Sequence, residues 1–337
     1  MNPKISICIP TFNRSDLLEK ALKSVSVQTV KPFEVIVVDN ASTDDTKEVV
    51  ARYKKWGVKY FCNRKNVGMA NNWNVCIKKS KGDFLTFLHN DDVISPEWYQ
   101  VMCKAVQDHP KVKFFTSSLL VIDADERVLH CYHTFSSSQL IPKEQAMRAF
   151  YTHLLPGLAP LASNLYHKSI FTKIGGYDAN MQTEADFEHS IKILKNYDVY
   201  YIHEPIFAYR VHAKQGFDLQ EQQKTFEREL DRKANHYAIV KRWYKKWYKN
   251  NNNMRFFIQY PVLMTLAPMS LFVLKGDWNK VLKHFHLVKQ YFPDFFTHWS
   301  DIWLYCVIVF IFIKRLTYDK LLLLLNAKQF RWLMNES

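Results

Sequence analysis

Two adjacent carboxylates, Asp91 and Asp92, are the residues best suited to chemistry, and we call them the acidic pair. They closely follow residues 84–88, four large apolar residues and one threonine, which is typical of a strand buried on both faces of a parallel sheet. Ligands bind beyond the carboxyl ends of such strands. Adjacent carboxylates repel each other unless a cation lies beside them, and hard oxygen ligands suit Mg²⁺ or Mn²⁺. A solvated acidic turn would show the same pattern, so the pair alone leaves both interpretations open.

Alternating strand and helix patterns precede the acidic pair. Residues 5–9 and 34–38 are short runs rich in β-branched side chains, and residues 15–27 between them carry apolar side chains at helical spacing. Residues 48–53 also show a helical pattern. Further strand candidates lie at residues 58–62, 84–88 and 112–116. Repeated alternation of this kind predicts a doubly wound α/β domain.

Six short motifs occur in order between residues 4 and 215. They are ISICIPTFNR at 5–14, VVDNASTD at 37–44, NVG at 66–68, GGYD at 175–178, EAD at 184–186 and YRVH at 209–212. Together with Asn74, residues 81–83 and the acidic pair, this ordered set resembles the family 2 glycosyltransferases. The resemblance implies the GT-A fold, a doubly wound and mostly parallel sheet with helices on both faces, which we expect in residues 1–220.

The resemblance implies a nucleotide-sugar site at the ends of the first strands. Asp39 matches a carboxylate that accepts the N3–H of a uracil or thymine ring, so a UDP-sugar is the expected donor. Capping of the following turn is the alternative role of Asp39. The implied nucleotide-sugar contacts are Pro10, Thr11, Asn13, Asp39, Gly68, His89, Asn90 and Asp92.

The resemblance also implies a divalent cation, Mn²⁺ or Mg²⁺, that neutralises the diphosphate as it leaves. Asp91 matches the second acid of the family's Asp-x-Asp motif, and His212 matches a histidine that often completes the metal shell. His89 stands where the family usually has the first Asp of that motif. This departure removes one negative charge. Two interpretations remain: a site that binds metal more weakly, and a degraded site.

The base implied by the resemblance is Asp186. At the matching position a carboxylate deprotonates the acceptor hydroxyl as it attacks the anomeric carbon from the face opposite the diphosphate. Ala185 stands where the family's Glu precedes that Asp. If the register is shifted, Glu184 or Glu188 is the base instead, and on a helix these two share a face that Asp186 does not. An acidic helix start that interacts with the helix dipole is the structural alternative.

Composition indicates a reduced, globular protein. The 337 residues are 48% apolar, which is enough for a sizeable core. The six cysteines show no CxxC spacing of the kind that indicates zinc or a disulfide framework. The N-terminal residues run directly into the first strand, without the apolar stretch of a signal peptide. We therefore expect a cytoplasmic protein.

Most of the positive charge lies near the C-terminus. The net charge is +14, and residues 241–337 hold 15 Lys and Arg against 5 Asp and Glu. As a helix, residues 241–249 place four aromatic side chains on one arc and five cations opposite, which is typical of an anionic membrane surface. Packing of the aromatic arc on the catalytic domain is the alternative. Residues 302–313 are twelve apolar residues, about 18 Å as a helix and too short to span a bilayer.

These patterns predict a helical, membrane-associating extension at residues 221–337, and a protein peripheral on the inner face of the cell membrane. The hypothesis is an inverting, metal-dependent transferase that moves a sugar from a nucleotide donor to a hydroxyl of a lipid-linked or surface-polysaccharide acceptor. The alternative is a catalytically silent, membrane-docked binding or scaffold protein, because His89 and Ala185 depart from the family pattern. Nucleic acid is not an expected partner, since no recognised module accompanies the charge.

Overall fold

The computed structural model describes residues 2–151 and 163–211. By internal contacts the chain divides into two units, Met1–Gln215 and Gly216–Ser337, and the described residues all belong to the first. His212, the proposed interfacial helix at 241–249 and the apolar segment at 302–313 lie outside the described residues. The domain boundary at 220 and the membrane-associating extension therefore stay predictions.

The described residues form one mixed sheet of ten strands. The strands are β1 Ile5–Thr11, β2 Glu34–Asp39, β3 Val58–Cys62, β4 Phe84–Phe87, β5 Val93–Ile94, β6 Phe114–Ile122, β7 Val128–Tyr132, β8 Gln139–Ile141, β9 Asn164–His167 and β10 Val199–Arg210. Their order is β3-β2-β1-β4-β9-β6-β10-β5, with β7 beside β6 and β8 beside β10. The predicted strand at 112–116 starts two residues later and is longer, because its second half pairs with β7 and β10.

The first half of the sheet is the predicted doubly wound arrangement. Strands β3, β2, β1 and β4 run parallel, so the carboxyl ends of β1, β2 and β4 meet at one edge. In the second half β9 runs antiparallel to β4 and β6, while β6 and β10 are parallel. The α/β class is confirmed, and the antiparallel strands β5, β7, β8 and β9 make the sheet mixed.

Seven α-helices accompany the strands within the described residues. They are α1 Ser15–Ser26, α2 Thr46–Arg52, α3 Met69–Lys79, α4 Trp98–Asp108, α5 Lys143–Tyr151, α6 Ser169–Ile174 and α7 Ala185–Asn196. Short 3₁₀ helices lie at Lys54–Trp56 and Ala179–Glu184. In residues 2–151 and 163–211, no helix combines the length and the apolar character that crossing a bilayer requires.

Helices cover both faces of the parallel half. On one face Ile7 of β1 lies in a buried cluster with Leu18 of α1 and Trp98 of α4. On the other face Cys8 points toward α3, where its Sγ lies 4.0 Å from the carbonyl oxygen of Cys76. The alternation follows from the two-residue period of a strand, and both side chains are fully buried because the strand is central.

A buried glutamate fixes the start of β4 and therefore the acidic pair beyond its end. The carboxylate of Glu34 accepts hydrogen bonds from Ser6 Oγ, Lys59 Nζ and the Lys81 amide, each at 2.8 Å. Burial raises the pKa of Glu34, but these hydrogen bonds outweigh it and leave the pKa below its ordinary value. The amide of Gly82 donates to Ser6 Oγ at 2.9 Å, which holds β4 beside β1.

Candidate active site

A cleft of about 460 Å³ opens where β1, β2 and β4 end. Its walls come from the loops after these strands and from the N-terminal part of α3. The residues that line it are Pro10, Thr11, Phe12, Arg14, Asn40, Asn66, Gly68, Met69, Asn72, Trp73, His89, Asn90 and Asp91. Six of the predicted site residues are therefore brought together here: Pro10, Thr11, Gly68, His89, Asn90 and Asp91.

His89, Asp91 and Asp92 form a group, the ligand cluster, whose possible metal-binding atoms all lie within 4.8 Å of one another. Asp92 is fully buried, and neither its Oδ2 nor His89 Nε2 has a hydrogen-bond partner among the described residues. Buried polar atoms without partners are costly, so a bound ion would satisfy them. Two carboxylates and an imidazole are suitable donors for a divalent cation, and the residues present fit one.

The electrostatics of the ligand cluster follow from its burial. Burial raises the pKa of Asp92 well above its usual range, the negative charge of Asp91 adds to this, and Arg210 opposes it. Burial also lowers the pKa of His89, which favours the neutral imidazole that can coordinate a metal. A cation at this position would stabilise the ionised form of Asp92.

Arg14 supplies the counter-charge on the open side of the cleft. Its Nη1 lies 2.7 Å from Asp91 Oδ2, and its side chain is 49% exposed. Arg14 ends the first motif, but its local sequence does not predict this role. The structure shows that the loop after β1 carries this guanidinium across to the residues after β4.

Asp39 ends β2 but does not line the cleft. Its Oδ1 accepts hydrogen bonds from the Ser42 amide at 2.9 Å and from Ser42 Oγ at 2.6 Å, so the turn-capping role is present. Its Oδ2 accepts from the hydroxyl of Tyr60. Burial raises the pKa of Tyr60 and the Asp39 carboxylate raises it further, so the tyrosine remains a donor. A contact from Asp39 to a base stays a prediction.

A network of asparagines, which the sequence analysis missed, forms the far wall of the cleft. Asn40 donates to Asn66 Oδ1 at 2.8 Å and accepts from the Val67 amide at 2.9 Å. Asn63 bridges Asn40 and Asn72 at 3.1 and 2.8 Å. These bonds hold the loop between β3 and α3 against the end of β2. The four asparagines within 33 residues were the available signal, but asparagine is common in turns and the pattern did not stand out.

The loops after β1 and β4 are also joined directly. Asn90 Nδ2 donates to Thr11 Oγ1 at 2.9 Å, and both side chains are buried. Asn13 does not line the cleft but accepts a hydrogen bond from the Thr43 amide at 2.8 Å. It has a φ of +49°, a conformation that asparagine tolerates better than most residues. Asn13 therefore positions the loop, and a contact to the donor stays a prediction.

An aromatic chain connects the cleft with the helix that carries the proposed base. The ring of Trp73 stacks on His89 with centroids 6.0 Å apart and meets the ring of Tyr177 edge-on at 4.9 Å. The ring of Tyr177 also packs on His189 of α7, with centroids 4.3 Å apart. Burial raises the pKa of Tyr177, and Tyr166 and Asp186 raise it further. The structure therefore brings α7 to the same side of the molecule as the cleft.

The structure separates the three candidate bases. Asp186 is half-buried in the first turn of α7, and its Oδ1 accepts the Phe187 amide at 2.7 Å. Glu188 is buried and forms an ion pair with Lys192 at 2.7 Å, which makes it a poor proton acceptor for an incoming substrate. Glu184 belongs to the preceding 3₁₀ helix rather than to α7, and its side chain lies outside the described part. Asp186 as the base stays a prediction.

Comparison with known proteins identifies the fold and the family. Residues 6–173 match the family described as Glycosyl transferase family 2. An uncharacterised glycosyltransferase of Haemophilus influenzae is 26% identical over 266 residues, which cover 78% of this chain and 86% of that protein.

A Campylobacter jejuni protein, GalNAc(5)-diNAcBac-PP-undecaprenol beta-1,3-glucosyltransferase, is 42% identical over 114 residues. These residues cover 33% of this chain and 37% of that protein. The crystal structure of S. aureus TarS 1–349 in complex with UDP-GlcNAc has the same fold, with a TM-score of 0.54 and 16% identity. That match covers 86% of this chain and 91% of the other. The chain therefore belongs to glycosyl transferase family 2 and is a glycosyltransferase.

Proposed function

We propose that this chain transfers a sugar, with inversion, from a UDP-sugar to a hydroxyl of a lipid-linked or surface-polysaccharide acceptor, and that the reaction needs Mn²⁺ or Mg²⁺. The observation that carries the proposal is the ligand cluster, with its unpartnered Asp92 Oδ2 and His89 Nε2, at the edge of the strand-end cleft. His89, Asp91 and Asp92 would hold the cation, joined by His212 as predicted from the sequence. When bound, it would neutralise the charge that develops on the leaving diphosphate.

The donor is bound by groups around the cleft. Asp39 would accept the N3–H of the uracil ring, since a carboxylate with two oxygens can accept a further hydrogen bond beside those from Tyr60 and Ser42. Arg14, which is half exposed, would pair with the diphosphate. A UDP-sugar is supported by the TarS complex with UDP-GlcNAc, which shares the fold.

Transfer requires a base on the side opposite the diphosphate. The acceptor oxygen forms a bond to the anomeric carbon, the bond from that carbon to the diphosphate oxygen breaks, and the acceptor proton passes to Asp186. Asp186 suits this role because it is half-buried, whereas Glu188 is buried and forms an ion pair with Lys192.

The acceptor class is supported by the Campylobacter jejuni relative, whose name describes an undecaprenol-linked substrate. The basic, aromatic residues 241–249 fit the same picture, because an enzyme that acts on a lipid-linked glycan benefits from affinity for an anionic bilayer. We therefore propose a cytoplasmic enzyme that is peripheral on the inner face of the membrane.

The test is a donor panel with the purified full chain. UDP-, GDP- and dTDP-sugars are incubated with Mn²⁺, Mg²⁺ or EDTA, and nucleotide release and glycosylated product are measured. We expect release from UDP-sugars with a divalent ion and none with EDTA. UDP methylated at N3 should inhibit at least about tenfold less well than UDP, because Asp39 loses its donor.

Asp91→Asn is the matched variant, and it should lower kcat/KM by about a hundredfold or more. Asp83→Asn is the control, since Asp83 is exposed and lies just before β4 rather than just after it. It should change kcat/KM less than about twofold. Full activity of the EDTA-treated protein, or equal activity of the two variants, would contradict the proposed metal site.

A further inference from the structure

Arg210, the last residue of β10, has a buried guanidinium that belongs to none of the roles described above. Its side chain is fully buried, and it does not line the cleft. Isolated buried charges are unstable in proteins, so every donor of this group needs a partner. Its partners lie in two separate parts of the chain, the acidic pair and the turn after β6, so Arg210 links the two.

On one side Arg210 holds both members of the acidic pair. Its main-chain amide donates to Asp92 Oδ1 at 3.0 Å, and the Nε of its side chain donates to the carbonyl oxygen of Asp91 at 2.8 Å. The first bond occupies one oxygen of Asp92 and leaves Oδ2 toward His89, 3.9 Å from its Nδ1. The second bond fixes the main chain between the two acids. The orientation of the ligand cluster therefore depends on Arg210.

On the other side Arg210 binds the turn between β6 and β7, residues 123–127. Its Nη1 donates to the carbonyl oxygens of Asp123 and Ala124 at 3.2 and 3.4 Å, and its Nη2 lies 2.9 Å from Glu126 Oε1. The 123–127 turn is itself well ordered by hydrogen bonds, since Asp123 Oδ1 accepts the amides of Asp125 and Arg127, each at 2.9 Å. A surface turn held by its own hydrogen bonds thus supplies the counter-charge for a buried arginine.

We propose that Arg210 is the positioning residue of the acidic pair and that Glu126, through Arg210, sets the cation affinity of the ligand cluster. The inference rests on the proposed metal site. Glu126 has a side chain that is 51% exposed and does not line the cleft. Its other ion pair, to Lys20 Nζ at 3.7 Å, lies at the surface, so the contact that links Glu126 to the acidic pair is the one with Arg210. Without the Glu126 charge, the guanidinium is drawn to the nearest remaining carboxylates, Asp91 and Asp92, and competes with a cation for them.

The same contacts exclude a second role for Arg210. Its Nε, Nη1 and Nη2 all donate to protein oxygens, and the side chain has no exposed surface from which to reach a diphosphate. Arg14, by contrast, is half exposed at the cleft. The two arginines therefore have different tasks: Arg14 faces the donor side and Arg210 supports the acidic pair from behind.

The experiment is an Mn²⁺ titration of the full chain by electron paramagnetic resonance, which counts free Mn²⁺ without turnover. Glu126→Gln keeps the size of the side chain and removes its charge. Asp125→Asn makes the same charge change one residue earlier, where the side chain pairs with Arg127 and not with Arg210. We expect Glu126→Gln to raise the Mn²⁺ Kd about three- to tenfold, and Asp125→Asn to leave it within about twofold.

Arg210→Lys keeps the positive charge but loses the fork that binds several oxygens at once, so it should raise the Kd more than Glu126→Gln does. Thermal midpoints without metal are measured for all variants. Equal Kd values for Glu126→Gln and Asp125→Asn would overturn the proposal, as would a Glu126→Gln variant that loses thermal stability without a change in Kd. If the unmodified chain binds no Mn²⁺, the proposed metal site fails as well, and the two failures are thereby distinguished.

Discussion

Asn74 joins α3, which borders the cleft, to the loop that precedes the proposed base. Its Nδ2 donates to the carbonyl oxygen of Tyr177 at 2.8 Å, and its Oδ1 accepts the Tyr177 amide at 2.9 Å. The loop passes so close that a Cβ on Gly176 would lie 2.2 Å from Asn74 Oδ1. Replacing Asn74 by alanine removes both hydrogen bonds and leaves the space empty.

The expected loss of stability for Asn74→Ala follows from these contacts. Tyr177 is 3% exposed, so its amide and carbonyl groups would be left without partners in a buried environment. Two net hydrogen bonds and the penalty for the orphaned groups together give about 2–4 kcal/mol. Because Tyr177 packs on Trp73 and on His189 of α7, the start of α7 should move, and kcat should fall by about ten- to a hundredfold.

Chemical denaturation and steady-state kinetics measure these two effects. Asn71→Ala is the matched control on the same helix, since Asn71 makes one exposed hydrogen bond to the carbonyl oxygen of Val67 at 3.0 Å. It should change the free energy of unfolding by less than about 0.5 kcal/mol. An Asn74→Ala variant that is as stable and as active as Asn71→Ala would refute the reasoning.

A double-mutant cycle checks the geometry of the same contact. Gly176→Ala alone should be destabilised because its Cβ meets Asn74 Oδ1. In Asn74→Ala the obstructing oxygen is absent, so adding Gly176→Ala should cost little more. Strictly additive free energies of unfolding would show that the two residues do not interact and would contradict this description.

Three further predictions concern stability. Because the folded pKa of Glu34 lies below its unfolded value, its stabilising contribution should be lost as pH falls below about 4.5, and Glu34→Gln should abolish that loss in denaturation measured against pH. Burial lowers the pKa of His189 to about 3, so protonation of this histidine favours the unfolded state. The free energy of unfolding should therefore decline from about pH 6.5 downward, by up to about 4–5 kcal/mol. His189→Phe should remove this decline. A Cβ on Gly82 would lie 2.6 Å from the carbonyl oxygen of Lys4, so Gly82→Ala should lower the free energy of unfolding by about 2 kcal/mol or more in chemical denaturation. Gly57 has open space around it and a φ of +86°, so Gly57→Ala should lower it by about 1 kcal/mol.

The parallel half of the sheet could be predicted from the sequence because its signals are local. Strands β1, β2 and β4 are rich in apolar side chains, and helix α1 between the first two has regular apolar spacing. The antiparallel insertion could not be predicted. Strand β9 has only four residues, Asn164–His167, and its place between β4 and β6 depends on pairing with residues about 50 to 80 positions earlier.

The family resemblance predicts the cleft residues, and strand geometry gives the physical reason why they meet. Pro10, Thr11, Asn90 and Asp91 each follow or end a parallel strand, and such strand ends converge whatever the details of packing. The side-chain partners of these residues were not predictable. The Arg14–Asp91 ion pair joins positions 77 residues apart, and the Arg210–Asp91 hydrogen bond joins positions 119 apart. No local pattern reports contacts over such separations.

These long-range partners give a physical reason for the histidine in the ligand cluster. In the sequence the acidic pair shows only mutual repulsion, but in the folded chain Arg14 contacts it from the open side and Arg210 from the buried side. An aspartate at position 89 would add a third carboxylate beside the two of the pair. His89, whose pKa burial lowers, adds a ligand atom without adding charge. The histidine therefore avoids a third negative charge beside the pair, and the cluster still offers Asp92 Oδ2 and His89 Nε2 to a cation.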